Sequence, residues 1–376
     1  MIYKELKLPF YIKATIFLVG LFALVTMLYI AQRIIIPIIF AVIIAIVLHP
    51  VVNFFLRKKI NRVLAIVLTL FLAFSVISAF VILLFSQAIR FSESLPMLVD
   101  KFTVILNQAI TWVSGFFDIN PQNIHDWITK TKGELINTGS DAIGQALVTV
   151  GNGIVILFLF PIYIFLILFY QPLLIEFIRR IFGISNKKYV NEIITQTKTL
   201  IQRYIRGLLY EAAIVATLYS AGLLIIGIDY AILLGLIAAL LNIIPYIGGV
   251  IAASLFMIVA ITTKNSASYP LMVLALYITI HLIDNNFIIP KVVASKVKLN
   301  ALISIIVIIT ASALFGIPGM IICIPVTGIV KLIFDHIEPL KPWGFLLGNT
   351  MPPLLKIKPI RLRRIKHKSL ELYSKN

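Results

Sequence analysis

The sequence has little charge. Only 13% of its 376 residues are Asp, Glu, Lys or Arg, whereas 60% are hydrophobic and the mean hydropathy is +1.04. A soluble globular chain of this length needs far more polar side chains to cover its surface. The apolar residues also form several uninterrupted runs, each close to the about 20 residues with which a helix crosses a membrane. These features exclude a soluble enzyme and indicate a membrane protein.

Cysteine and catalytic motifs are also scarce. The single cysteine, Cys323, excludes an internal disulfide and a multi-thiolate metal site. The sequence contains no HExxH zinc motif, no GxSxG nucleophile turn, no GxGD aspartate motif and no Walker A loop. We therefore expect no enzymatic activity, no metal, no cofactor and no transport driven by ATP hydrolysis on this chain.

Acidic residues are far fewer than basic ones, with 15 Asp and Glu against 33 Lys and Arg. The basic excess lies in segments that flank the apolar runs, at residues 4–13, 57–62, 171–206, 291–298 and 356–376. Basic loops are retained on the cytoplasmic side of a membrane, so this pattern predicts that both termini are cytoplasmic. No basic motif is interleaved with aromatic residues, and nucleic acid is therefore not an expected partner.

The apolar runs predict about six full transmembrane helices. They cover residues 14–31, 34–56, 63–89, 144–170, 207–228 and 268–289. A polar insertion at residues 90–141 separates the third from the fourth. Apolar residues recur at helical spacing within it, which predicts two short amphipathic helices lying on the outer membrane surface. The basic segment at residues 171–206 is predicted to be helical and cytoplasmic.

Two further apolar segments are too long to be plain spans. Ala231 to Thr262 and Ala301 to Phe334 would measure about 48 and 51 Å as straight helices, against a hydrocarbon core of roughly 30 Å. Proline and glycine interrupt each segment near its middle, at residues 242–249 and 315–319. Such breaks free backbone polar groups, which are tolerated at membrane depth only inside protein or beside a wet cavity.

Each broken segment fits either a kinked helix that crosses or a hairpin that returns to its starting side. If the first segment crosses, the three lysines of residues 291–298 lie outside; if it is a hairpin, they lie inside with the other basic loops. We favour two hairpins that enter from opposite faces. The predicted fold is thus an all-α polytopic membrane protein with eight hydrophobic segments, namely six full spans and two Pro/Gly-broken helical hairpins. Opposed broken helices of this kind are typical of secondary transporters, which bind substrate near the midplane.

Ionisable residues inside the predicted spans are few. They are Glu211, His281 and Asp284, and we consider them candidates for coupling because a charge at the bilayer centre is costly and is usually paired. Each also has a structural alternative: Glu211 could pair with Arg206 or Arg203, His281 could be a packing residue, and Asp284 could belong to a polar cap before Pro290. The candidate substrate or ion site comprises the break residues and this polar cluster: Asn242, Pro245, Gly248, Gly249, Asp284, Asn285, Gly316, Pro318 and Gly319.

The order of several motifs resembles that of the AI-2E family transporters. The motifs are Tyr204-Ile205-Arg206-Gly207, Gly227, the run from Leu240 to Gly248, Pro290-Lys291, the run from Phe315 to Met320, and Ile324-Pro325. Leu208 departs from the pattern, because many members carry glutamine there, and the tail beyond Pro352 matches no family motif. The resemblance implies a homo-oligomeric transporter, a pentamer being one form. Members have been linked to export of the signal autoinducer-2 and to sodium/proton antiport.

These features lead to three functional hypotheses. The first is a secondary transporter in the cytoplasmic (inner) membrane of a prokaryote that exports a small polar metabolite or signal, such as autoinducer-2, by alternating access. The alternatives are a monovalent cation (Na⁺)/proton antiporter and a non-transporting membrane scaffold. The expected partners are the lipid bilayer, the transported solute or ion and further copies of the chain. The chain divides into N-terminal helices (1–90), the amphipathic insertion (91–145), the fourth helix with the basic helices (146–206), the transport core (207–335) and the basic tail (336–376).

Overall fold

The computed structural model describes residues 9–117, 154–181, 187–244, 247–264, 266, 268–292 and 299–349. Within these ranges every regular element is a helix, and six helices are long and apolar enough to cross a membrane, although one of the six, Ala301–His336, contains a sharp bend at Gly316. A further pair, bent by 63°, would make a seventh only if its two helices formed one span. The prediction of an all-α polytopic membrane protein is therefore confirmed.

The helices follow one another with short connections. They are α1 (Phe10–Ile30), α2 (Gln32–Arg57), α3 (Arg62–Phe117), α4 (Ile154–Phe169), α5 (Gln171–Ile181), α6 (Lys187–Ile226), α7 (Ala231–Asn242), α8 (Ile247–Thr263), α9 (Ser268–Ile283), a π-helical turn (Asp284–Ile288), α10 (Ile289–Val292), α11 (Ala301–His336) and α12 (Lys341–Leu347).

Two packed groups of helices form the interior. One joins α2, α3 and α4, where small residues such as Ala41, Ala45 and Ala65 are buried against Ile66 and Ile164. Small side chains let membrane helices approach closely, since lipid supplies no hydrophobic drive for their association. The other group joins α6, α7, α8 and α9. Helix α11 contacts both α2 and α6. Helix α1 contains no buried residue.

Helices α7 and α8 form the first hairpin. Gly235 of α7 lies directly against Ala216 and Ser220 of α6, so α7 runs back along the helix that precedes it. Asp229, just before α7, pairs with Lys264, just after α8, at 3.4 Å. The two ends of the segment therefore lie on the same side. With 12 residues, α7 is only about 18 Å long, too short to cross the hydrocarbon core.

Helix α11 contains the second hairpin. At Gly316 the backbone adopts φ 62° and ψ −149°, which no helix contains. The chain reverses there, because Gly319 lies against the backbone carbonyl of Ala311. At the open end, the Asn300 amide donates to the carbonyls of Leu346 (2.6 Å) and Gly348 (3.1 Å), residues that follow the second arm. Both ends of α11 thus meet beside α12.

The two hairpins enter from opposite sides. Helix α9 is antiparallel to α6, since Leu276 lies against Gly222 and Tyr277 stacks on Tyr219. It therefore ends on the side where α6 begins, which we call the basic side. The second hairpin starts from this side, whereas the first starts from the side where α6 ends. Lys291 lies on the basic side, as the hairpin alternative requires; residues 293–298 of this loop lie outside the described residues.

Two helices are longer than the sequence predicts. Helix α3 continues without interruption to Phe117, so the separate surface helix expected from residue 91 is wrong for this stretch, and residues 118–145 of the insertion lie outside the described residues. Helix α6 joins the basic segment to the next span without a break at Gly207. In both cases the polar side chains lie on one face of a continuing helix and do not end it. The boundaries of the five regions remain predictions.

Cysteine labelling would test the hairpin arrangement. In a Cys323→Ser background, we expect Ser266→Cys to react with an impermeant maleimide from one side, and Lys291→Cys and Lys341→Cys from the other, because both hairpins return to their starting sides. All three positions are exposed. Two kinked crossing helices would instead place positions 266 and 341 on the same side, with 291 opposite.

Candidate functional site

Three polar side chains meet at the tip of the first hairpin. Asn242, the last residue of α7, donates from its amide nitrogen to Glu211 Oε1 at 2.9 Å and to Asp284 Oδ2 at 3.0 Å. Glu211 comes from α6 and Asp284 from the π-helical turn, so three separate elements contribute. We call these three residues the tip cluster. It forms because α7 runs back along α6 until its end reaches the level of Glu211.

Both carboxyl groups of the tip cluster are buried. Glu211 is 5% exposed and Asp284 is 3% exposed, and Asp284 Oδ1 has no hydrogen-bond partner in the described chain. The predicted pairing of Glu211 with Arg206 or Arg203 is wrong, since the partner of Glu211 is Asn242 and the Arg206 Nε donates to the Gln202 carbonyl. Two carboxyl groups that share one amide donor at membrane depth can be accommodated if they bind a proton or a cation.

The turn that carries Asp284 is irregular. Residues Asp284–Ile288 form a π-helical turn, a wide turn that is often found at functional sites. Within it, Asn286 donates to the Leu282 carbonyl, as expected of a capping residue, and Asn285 bonds the His281 ring at 2.9 Å. Asp284 instead points to Asn242. The cap alternative therefore describes Asn286 and not Asp284, and Asn285 lies outside the tip cluster.

An aromatic stack lies beside the start of α8. The rings of Tyr219, Tyr277 and His281 stack in order, with centroid distances of 6.1 and 5.5 Å. Gly249 lies against the Tyr277 hydroxyl, which would have to move to make room for a larger side chain. His281 thus contacts Tyr277 and Asn285. Its predicted influence on Asp284 remains a prediction, and Tyr277 is a neighbour of the tip that the sequence did not indicate.

The remaining candidate residues fall at other places. Gly248 lies against the Leu241 carbonyl and closes the first tip, whereas Pro245 lies outside the described residues. Gly316, Pro318 and Gly319 form the separate bend of the second hairpin. Ile322, shortly after that bend, packs with Ile43 of α2 and Ile201 of α6. The first tip therefore contacts α6 at Glu211, and the second hairpin contacts it about ten residues nearer the basic side.

Comparison with known proteins identifies the family. The sequence model described as AI-2E family transporter matches residues 16–338. This chain belongs to the AI-2E transporter family. The opposed broken hairpins and the buried tip cluster are thus features of a membrane transporter, which agrees with the resemblance that the motifs indicated.

Curated relatives extend over most of the chain. YueF of Bacillus subtilis (strain 168) is 25% identical over 80% of this chain and 83% of the relative. YrrI of the same organism is 26% identical over 81% and 87%. The AI-2 transport protein TqsA of Escherichia coli (strain K12) is 24% identical over 81% and 87%. These bacterial relatives and the spanning helices make this chain a multi-pass prokaryotic membrane protein with a transport function.

Proposed function

We propose that this AI-2E family member is a secondary transporter that exports a small polar solute, and that proton or monovalent cation binding at the tip cluster is coupled to that export. The observation that supports coupling is the buried pair of carboxyl groups with one shared amide donor and one oxygen, Asp284 Oδ1, that bonds nothing in the described chain. The name of the relative TqsA supports a small signal such as autoinducer-2 as the solute.

The cost of burying charge explains why the tip cluster would exchange ions. A single charged side chain at the bilayer centre costs at least about 2.5–3.5 kcal/mol, and two carboxylates in contact with one amide also repel each other. A bound proton or Na⁺ removes one charge and supplies a partner for Asp284 Oδ1. Loss of that ion would disfavour the closed cluster and release the first tip from Glu211 and Asp284. Ion binding could thus be linked to the position of the hairpin.

The opposed hairpins support alternating access. In this proposal the basic side is the cytoplasmic side, because basic loops are retained there, and both termini lie on it. Each hairpin then reaches into the membrane from a different face, so that movement of one tip opens the site to one side only. The membrane is the inner membrane. Because α1 has no buried residue, its surface is available to lipid or to further copies in a homo-oligomer.

Flux measurements in proteoliposomes test the proposal. We expect wild-type protein to move autoinducer-2 when a pH or Na⁺ gradient is imposed, and Asp284→Asn and Glu211→Gln each to lower coupled flux by about tenfold or more, the change that corresponds to about 1.4 kcal/mol. Glu338→Gln is the matched control, because this carboxylate is 83% exposed and pairs with Lys341. The control should keep wild-type flux.

The same assay separates the alternatives. Na⁺/proton exchange without movement of an organic solute would indicate the antiporter, a second candidate that the carboxyl pair also favours. Wild-type protein that moves neither ions nor autoinducer-2 would contradict transport by this chain alone and favour the scaffold. Full coupled flux in both Asp284→Asn and Glu211→Gln would exclude the tip cluster from coupling.

A further inference from the structure

A cavity of about 350 Å³, lined by both polar and apolar side chains, lies on the basic side, away from the tip cluster. It opens between the end of α2, the start of α3 and the bend from α4 to α5. Its polar lining consists of His49, Asn53, Arg62, Gln171 and Arg179. None of these residues has a role in the proposed transport step, and the two arginines give the cavity positive charge.

The two arginines are held in place by the protein. Arg62 donates from one terminal nitrogen to the Leu168 carbonyl at 2.8 Å and lies over the ring of Phe169. Arg179 donates from Nε to Asn191 at 2.8 Å and pairs with Glu176 at 3.6 Å. Each guanidinium carries five N–H donors in a rigid fork, so these contacts orient it and leave donors for an anion.

A third basic residue, Lys198, lies next to a residue that lines the cavity. Lys198 of α6 lies 3.0 Å from the His49 ring, and Asn53 contacts the same ring nitrogen at 3.1 Å. The only nearby acid that these contacts show is Glu176, which is half-exposed and shared between Arg179 and Arg180. The net charge of the described residues around the cavity is therefore positive, which favours a ligand with negative charge.

The position of α5 shows at which depth the cavity lies. This helix is bent by 63° from α4 and exposes Leu173, Phe177 and Ile181, each by at least 60% of its surface. Arg179 and Arg180 occupy its polar side. An amphipathic helix of this type lies in the plane of the membrane interface, with its apolar face among the upper acyl chains. The cavity beside it is thus at the level of lipid headgroups.

We propose that this cavity binds the phosphate of an anionic phospholipid, with the acyl chains covering the apolar face of α5. A phosphodiester accepts paired N–H bonds from a guanidinium fork, which is why arginine is favoured for such ligands. Basic pockets between membrane helices on the cytoplasmic side bind anionic headgroups for the same reason. The depth of the cavity favours a lipid over free phosphate, since the interfacial position of α5 places the cavity at the level where the phosphates of the surrounding lipids lie.

Lipid binding to delipidated full-length protein tests the proposal. Phosphatidylglycerol and phosphatidylcholine would be titrated separately and counted by native mass spectrometry. We expect Arg179→Gln to weaken phosphatidylglycerol binding about fivefold, the change that corresponds to about 1 kcal/mol per basic residue near the surface. Arg180→Gln is the matched control: this neighbour pairs with the same Glu176 but is 80% exposed and does not line the cavity. It should bind as the wild type does.

Other outcomes would overturn the proposal. Equal weakening by Arg179→Gln and Arg180→Gln would show general charge attraction, and equal binding of both lipids by the wild type would show no headgroup recognition. Displacement of the lipid by millimolar inorganic phosphate would identify free phosphate as the ligand. Arg62→Lys gives a second test if Arg179→Gln does not elute as folded protein on size exclusion: it keeps the charge but removes the fork, and unchanged lipid binding would contradict the proposal.

Discussion

Replacing Gly248 by valine is expected to abolish transport and to lower the yield of folded protein. A Cβ atom at this position would overlap the backbone carbonyl of Leu241, and a backbone group cannot move aside as a flexible side chain can. The tip would have to open, which would withdraw Asn242 from Glu211 and Asp284. Overpacking of a well-packed site costs typically about 1–3 kcal/mol, and overlap with backbone belongs at or above the upper end of this range.

Size-exclusion yield and autoinducer-2 flux would measure this effect. Gly20→Val is the control, because a Cβ atom at Gly20 of α1 would meet no atom within 4 Å. We expect the control to keep wild-type yield. A Gly248→Val protein that eluted as a single species and kept its flux would show that the first hairpin does not close as described.

Replacing Asn242 by leucine is expected to give the second largest effect. Leucine has a similar size but no N–H group, so Glu211 and Asp284 would both lose their shared donor. An unsatisfied buried polar group costs about 1–3 kcal/mol, and more when it is charged. With two carboxyl groups affected, we expect the unfolding free energy to fall by at least about 2 kcal/mol, and coupled flux to be lost.

The thermal midpoint of the detergent-solubilised protein would report the loss. Asn286→Leu provides the comparison, since within the described residues the Asn286 amide donates to the Leu282 carbonyl of its own helix and the residue is exposed. Its midpoint should stay close to that of the wild type. Equal losses in the two variants would mean that the amide of Asn242 does not stabilise the carboxyl pair.

The hairpins could be predicted from the sequence because they follow from length and local chemistry. A run of 32 or 34 apolar residues exceeds the membrane thickness, and proline and glycine mark where it bends. The basic loops then distinguish hairpins from crossing helices. The long α3 could not be predicted in this way, since an amphipathic continuation of a helix has the same periodicity as a separate helix on the membrane surface.

The tip cluster could be predicted only in part. Glu211 and Asp284 stand out as charges inside spans, and Asn242 stands out at a break. These three residues meet only because α7 runs back along α6 as far as Glu211. Packing between the two helices sets that distance, and the local sequence does not predict it. The pairing of Glu211 with Arg206 was wrong because five residues at about 100° each place the two side chains about 140° apart around the helix.

The two bends use glycine for different reasons. At Gly248 the neighbouring carbonyl leaves no room, so the Cβ of an L-residue is excluded by the space alone. At Gly316 no atom lies within 4 Å of a Cβ, and only the sign of φ opposes a side chain. Inversion of these dihedrals gives φ −62° and ψ 149°, the comfortable polyproline region of an L-residue. A mirror-image D-alanine would therefore adopt the dihedrals of the second bend without backbone strain, whereas L-alanine would find the space there but not the dihedrals.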